Sequence, residues 1–134
     1  MAAATLAGTA RMVAALCAAL VLCAPVPARP ESDEQALARL AGEMEALAAG
    51  APCGGPVMCM AVSMGYDACG NPTRHIPYNR AQQISDIMQT KAAEYTFIEE
   101  DRLRGKPRPA HCRALQPPRV ACVNGRCVVG DTSY

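Results

Sequence analysis

Eight cysteines constrain this chain more than any other feature. Two of them lie inside a hydrophobic N-terminal segment, and the other six follow it. An even number of cysteines in a short exported chain predicts a disulfide framework. The framework cysteines, which we expect to form three disulfides in one small domain, are Cys53, Cys59, Cys69, Cys112, Cys122 and Cys127.

The N-terminal segment has the features of a secretory signal peptide. Its apolar run, residues 12–24, is about 13 residues long and too short to cross a bilayer as a helix. Arg11 precedes the run and small residues follow it, as in a cleaved signal. We expect cleavage after Ala28, or earlier near Ala24, and therefore a periplasmic or secreted protein. Lipidation at Cys23 is disfavoured, because a bulky leucine precedes that cysteine; an uncleaved helix is the remaining alternative.

Residues 29–134 are expected to form a single disulfide-bonded domain, with an N-terminal helix in 29–52 and a cysteine-rich core in 53–129. About 100 residues suffice for one hydrophobic core. That core is poor in large side chains, since the whole chain has no Trp, one Phe and four Tyr. Each disulfide contributes about 2–4 kcal/mol, so we expect the cross-links to be required for folding.

The pattern of apolar and turn residues predicts an α+β fold with two helices, a short antiparallel sheet and a C-terminal hairpin. Ser32 and Gln35 form a capping-box pattern that begins a helix, and Gly50 ends it. Asn124-Gly125 between two β-branched runs is a strong hairpin signal. The other predicted elements are a second helix at 80–103 and strands at 57–63, 73–78, 120–123 and 126–129.

The hairpin leaves the disulfide pairing open. Cys122 and Cys127 face each other across a two-residue turn at a non-hydrogen-bonded site, where a direct bridge is feasible. The alternative is that each hairpin cysteine pairs with a distant part of the chain. Cys112 would then pair with one of them, and Cys69 or Cys59 with the other.

Several motifs between residues 53 and 129 resemble those of a family of small exported bacterial cysteine-rich proteins. The family shares a turn that leads into Cys-Gly-x-Pro, an aromatic strand, a helix and a terminal hairpin. Its members often carry an aromatic residue in the position of His75. The resemblance implies this fold and export, and it assigns no activity. The matching segments are Cys59-x9-Cys69-Gly70-x-Pro72, Ile76-x-Tyr78 and Cys112-x9-Cys122-x-Asn124-Gly125-x-Cys127.

The spacing of the cysteines does not favour metal or redox chemistry. Structural zinc sites pair ligands two to four residues apart. Here the closest pair, Cys122 and Cys127, has four intervening residues, and the other pairs are six or more residues apart. An oxidising compartment also favours disulfides. The chain contains no Cys-x-x-Cys. Met58, Met60 and Met64, near His75, raise copper binding as an alternative, although methionine also fills cores that lack aromatics. We expect no cofactor and no metal site.

The candidate catalytic residues are few, and we predict a non-enzyme. Ser63 or Ser85 could pair with His75 or His111, but neither serine lies in a Gly-x-Ser-x-Gly turn. No third residue at a suitable spacing would orient the histidine.

Charge is balanced overall but divided along the chain. Residues 29–101 carry eleven acidic and five basic side chains, a net charge of −6, whereas 102–134 carry seven basic and one acidic, a net charge of +6. Without a recognised motif or aromatic stacking residues, this basic segment does not predict nucleic-acid binding. It can also pack on the acidic helices of the same chain.

The preferred function is a protein-binding or inhibitor-like module of the cell envelope or extracellular space, because disulfide-fixed loops lose little entropy on docking. The alternative is a structural envelope protein without a specific partner. We expect no membrane span after signal cleavage. The candidate binding residues, all in the loop 66–78, are Tyr66, Arg74, His75 and Tyr78.

Overall fold

The computed structural model describes residues 29–130, which have the predicted α+β architecture. The predicted signal peptide, residues 1–28, lies outside the described part of the chain. No helix within the described part is long and apolar enough to cross a membrane. In chain order, the elements are helix α1 (Asp33–Ala49), a 3-10 turn (Pro56–Met58), strands β1 (Cys59–Met64) and β2 (Arg74–Asn79), helix α2 (Gln82–Leu103), and strands β3 (Val120–Val123) and β4 (Arg126–Val129).

The first helix begins with the predicted capping box. The Ser32 hydroxyl accepts a hydrogen bond from the backbone N–H of Gln35 at 3.3 Å, and the Gln35 side-chain oxygen accepts one from the backbone N–H of Ser32 at 3.0 Å. Both bonds satisfy amides that the first helical turn leaves without partners. The buried stripe of α1 consists of Leu37, Leu40, Ala41 and Met44.

Strands β1 and β2 form an antiparallel ribbon in which Val62 lies opposite Ile76. Successive side chains of a strand point to opposite faces, so each strand contributes alternate residues to the two faces of the ribbon. The face toward the helices contains Met60, Val62 and Met64 with Arg74, Ile76 and Tyr78. The opposite face contains Cys59, Ala61 and Ser63 with His75, Pro77 and Asn79.

The hydrophobic core lies between the two helices and the first of these faces. It is built largely from aliphatic and methionine side chains, because the only phenylalanine, Phe97, is 62% exposed on α2. The predicted shortage of aromatic core residues is confirmed. The core residues are Leu37, Leu40, Ala41, Met44, Val62, Met64, Ile76, Tyr78, Met88, Ala92 and Tyr95.

The β3–β4 hairpin covers the other face of the ribbon and is fixed there covalently. Its turn is the predicted one, with Asn124 at φ +50° and Gly125 at φ +75°, the left-handed conformations of a two-residue hairpin loop. The ribbon is therefore the middle of three layers. The three disulfides, which use all six predicted cysteines, are Cys53–Cys122, Cys59–Cys127 and Cys69–Cys112.

A direct bridge between the two hairpin cysteines is absent, although Cys122 and Cys127 lie opposite each other. Opposed residues of an antiparallel pair project from the same face. That face of the hairpin is turned toward the ribbon, where Cys53 and Cys59 are within bonding distance. The alternative of two distant partners is confirmed, but Cys112 bonds to the β1–β2 loop and not to the hairpin.

Candidate functional site

The four residues predicted to bind a partner do not form one surface. Tyr78 is 0% exposed and belongs to the core, so it cannot contact a partner. Arg74 and His75 are neighbours in β2 and consequently lie on opposite faces of the ribbon. Tyr66 lies in the loop between the two strands. The strand alternation that builds the core therefore distributes these side chains over different parts of the molecule.

Arg74 is engaged within the protein, on the side of the helices. Its guanidinium lies 3.0 Å from the Glu45 carboxylate of α1 and also interacts with the phenol of Tyr95. Burial and the nearby Glu99 carboxylate raise the pKa of Tyr95, and the Arg74 charge partly offsets this rise. These contacts tie β2 to both helices, which is a structural role.

His75 lies on the hairpin side and forms a cross-strand hydrogen bond. Its Nδ1 is 2.9 Å from the Ser63 hydroxyl, which is one of the serine–histidine pairs considered from the sequence. Catalytic serine–histidine pairs need a further group that orients the imidazole. Within residues 29–130, no carboxylate forms a hydrogen bond or ion pair with His75.

The loop between β1 and β2 is docked on α2 through its first residues. The backbone N–H of Gly65 donates to the Thr96 hydroxyl at 2.9 Å, and that of Tyr66 donates to the Glu99 carboxylate at 2.7 Å. The Glu99 carboxylate also accepts a hydrogen bond from the Thr73 hydroxyl at 2.7 Å. Gly65 has a φ of +90°, and a Cβ there would lie 1.8 Å from the Thr73 hydroxyl oxygen. Only glycine fits this close approach.

The next residues of the loop are organised around the Asp67 carboxylate. It accepts backbone N–H groups from Asn71 and Cys69, each at 2.8 Å, and a weaker bond from the Asn71 amide at 3.4 Å. These hydrogen bonds, led by the one from the Asn71 backbone, lower the pKa of Asp67 below its usual value. The Cys69-Gly70-Asn71-Pro72 turn is therefore held in one conformation before it contacts anything else.

That turn fixes the long segment between α2 and β3, residues 104–119, which we call the connector. Besides the Cys69–Cys112 disulfide, the Arg108 guanidinium donates to the Cys69 carbonyl at 2.7 Å. The Asn71 amide donates to the Arg113 carbonyl at 3.0 Å, and the same side chain accepts the Leu115 N–H at 3.2 Å. Asn71 thus holds the connector backbone on both sides of Ala114.

The connector has no helix or strand, and residues 104–117 are all exposed. A segment with so little burial would ordinarily be mobile, yet this one is cross-linked and hydrogen-bonded at several points. The sequence identifies the basic segment, but it did not lead us to Asn71, whose side chain holds that segment in place. The only available signal was the position of Asn71 inside the Cys-Gly-x-Pro motif.

The basic residues near the connector are only partly neutralised. Arg104 lies 2.7 Å from Asp101, and Arg102 lies 4.0 Å from Glu34 of α1. In the described part of the chain, the other basic side chains between α2 and β3 form no ion pair. They are Lys106, Arg108, Arg113 and Arg119.

The sulfur atoms do not form a metal centre in this state. Those of Cys53, Cys59 and Cys127 lie within 4.8 Å of one another, but all three are in disulfides, and metals bind the thiolate. Met58 lies in the 3-10 turn and its sulfur accepts the Gly54 N–H at 3.3 Å, whereas Met64 is in the core. The predicted strand at 57–63 begins too early: β1 starts one residue after Met58, so Met58 does not share a strand face with Met60.

The comparisons with known proteins add no relationship. No protein family, curated protein or solved structure matches the chain.

Proposed function

We propose that the mature chain is an exported binding module that recognises another protein through the connector. The observation that carries the proposal is the combination of exposure and restraint in this segment. Fourteen consecutive exposed residues, 104–117, are held by a disulfide and by side-chain hydrogen bonds from a turn that is itself organised by Asp67. The molecule fixes a segment that contributes little to its core.

Rigidity of this kind favours binding, because a loop that is already ordered loses little conformational entropy when it docks. Inhibitors of hydrolases use the same principle, and an inhibitor-like role is one form of the proposal. The unpaired basic side chains of the connector indicate an acidic complementary surface, which would speed association. Export to the periplasm or the exterior fits a domain that depends on three disulfides.

The proposal is tested by capture of partners from an extract of the cell envelope with the immobilised, oxidised domain. We expect a stoichiometric partner that remains bound at about 0.3 M salt, where exposed charge interactions alone are strongly screened. The variant Lys106→Ala/His111→Ala should lose this partner, because it removes exposed connector side chains without removing a backbone anchor.

The matched control is Val123→Ala/Arg126→Ala, which removes exposed side chains from the hairpin turn. It should capture the partner as the native domain does. Equal loss in both variants, or equal retention, would place recognition outside the connector. Heterogeneous capture that disappears with salt would support the alternative of a structural envelope protein.

A further inference from the structure

The second half of the connector forms one wall of a cavity. The cavity has a volume of about 680 Å³ and lies between the connector, the beginning of β2 and the end of β4. This volume is within the range of sites for small molecules, roughly 300–1,000 Å³. Its lining residues are His75, Arg113, Ala114, Leu115, Gln116, Pro118 and Val129.

The polar part of the lining is positive or neutral. Arg113 supplies a guanidinium, His75 an imidazole and Gln116 an amide, and none of the acidic residues within 29–130 lines the cavity. None of the ion pairs formed by residues 29–130 involves Arg113. The planar guanidinium presents parallel N–H donors that match the two oxygens of a carboxylate.

The apolar part of the lining carries two of the large hydrophobic side chains that the domain leaves exposed. Leu115 is 56% exposed and Val129 is 39% exposed, and Pro118 lies in the same wall. Exposed apolar side chains grouped beside a positive charge are complementary to a molecule that has both an acidic and a hydrophobic end.

The backbone of the connector wall and the His75 ring are held in place before any ligand arrives. Asn71 holds the backbone of Arg113 and Leu115 in place. The bond between Ser63 and His75 occupies Nδ1 of the imidazole, so only Nε2 remains for a ligand. Because these supports are already formed, the connector backbone and the His75 ring would lose little conformational entropy on binding.

We propose that this cavity binds a small carboxylate with a hydrocarbon tail, such as a medium-chain fatty acid. The carboxylate pairs with Arg113 and Nε2 of His75, and the tail lies against Leu115, Pro118 and Val129. This site is independent of a protein partner on the outer surface of the connector.

The test is a titration of the oxidised domain with decanoate, followed by calorimetry and by the NMR signals of the His75 ring. We expect saturable binding of one decanoate per molecule, below its micelle-forming concentration. Decanol, which has the same tail without the charge, should bind at least about tenfold more weakly, as expected for loss of a charged hydrogen bond.

Two variants locate the site. Arg113→Gln should weaken decanoate binding by about tenfold or more, whereas Arg119→Gln, which changes an exposed arginine of the connector outside the cavity, should leave it unchanged. Thermal melts of both variants should match the native domain, since neither guanidinium forms an ion pair within residues 29–130. Absence of saturation, equal binding of decanol, or equal effects of the two variants would overturn the proposal.

Discussion

The hydroxyl group of Tyr78 gives a prediction with an unusual sign. The side chain is fully buried among the residues that join α1, α2 and the ribbon, and its oxygen is a buried polar atom that has no hydrogen-bond partner within residues 29–130. Folding therefore removes this hydroxyl from water without replacing the lost hydrogen bonds to water by one to the protein. We expect Tyr78→Phe to stabilise the domain, whereas tyrosine-to-phenylalanine changes at bonded positions destabilise proteins.

The size of the effect follows from two opposing contributions. An unsatisfied buried hydroxyl costs about 1–3 kcal/mol. Removing the oxygen leaves a void of about 10 Å³, which costs about 0.2 kcal/mol at the usual penalty per volume of cavity. The net gain in the free energy of unfolding is about 1 kcal/mol or more, equivalent to a rise of about 4–8 °C in Tm for a domain of this size.

The assay is equilibrium unfolding in guanidinium chloride with the three disulfides intact, and Tyr95→Phe is the matched control. Tyr95 is also buried, at 6% exposure, but its phenol interacts with Arg74 and Glu99. Its loss should therefore destabilise the domain by about 1 kcal/mol. Opposite signs for the two variants support the reasoning. A loss of stability in Tyr78→Phe equal to that in Tyr95→Phe would refute it, because the Tyr78 hydroxyl would then have a partner.

Three further predictions concern the disulfides, the loop and its response to acid. Replacing Cys59 and Cys127 together by Ala should lower the free energy of unfolding by about 3 kcal/mol. Since the Cys53–Cys122 disulfide remains, the bond removed is one that closes a ring of only about 11 residues in the unfolded chain. Denaturant titration measures this loss, and a value near zero would contradict the prediction. Gly65→Ala should destabilise the domain by more than about 2 kcal/mol, since its positive φ and close contacts exclude a side chain, whereas Gly42→Ala, in an open helical position, should stabilise it by about 0.5–1 kcal/mol. The lowered pKa of Asp67 means that its hydrogen bonds support the loop above the pKa of the unfolded chain and are lost as the pH falls through the lower folded value. Hydrogen exchange measures this: the protection factors of the loop amides, which correct for the intrinsic effect of pH, should fall in acid, and Asp67→Asn should remove that fall.

Local signals predicted most of the secondary structure correctly. The Ser32–Gln35 capping box and the Asn124-Gly125 turn depend on residues only a few positions apart, and both form as expected. Alternation along β2 was equally available in the sequence. Applied to Ile76 and Tyr78, it would have placed both in the core and Tyr78 outside any binding surface.

The pairing of the cysteines and the anchoring of the connector could not be predicted in this way. The two hairpin disulfides join residues separated by 69 and 68 positions, and their pairing depends on which face of the ribbon the hairpin covers. The bond from Asn71 to the Arg113 carbonyl spans 42 positions and uses a backbone group that any residue would supply. Nothing in the identity of residue 113 indicates such a contact.

The arrangement of the three disulfides also determines what a protease can do to this molecule. Every peptide bond of the connector lies between residues that disulfides join to each other across the cut. A cleaved connector would therefore release no fragment, and both new termini would stay attached to the same folded body. The two pieces could not diffuse away from each other, and the cleaved protein would migrate as one chain until its disulfides were reduced.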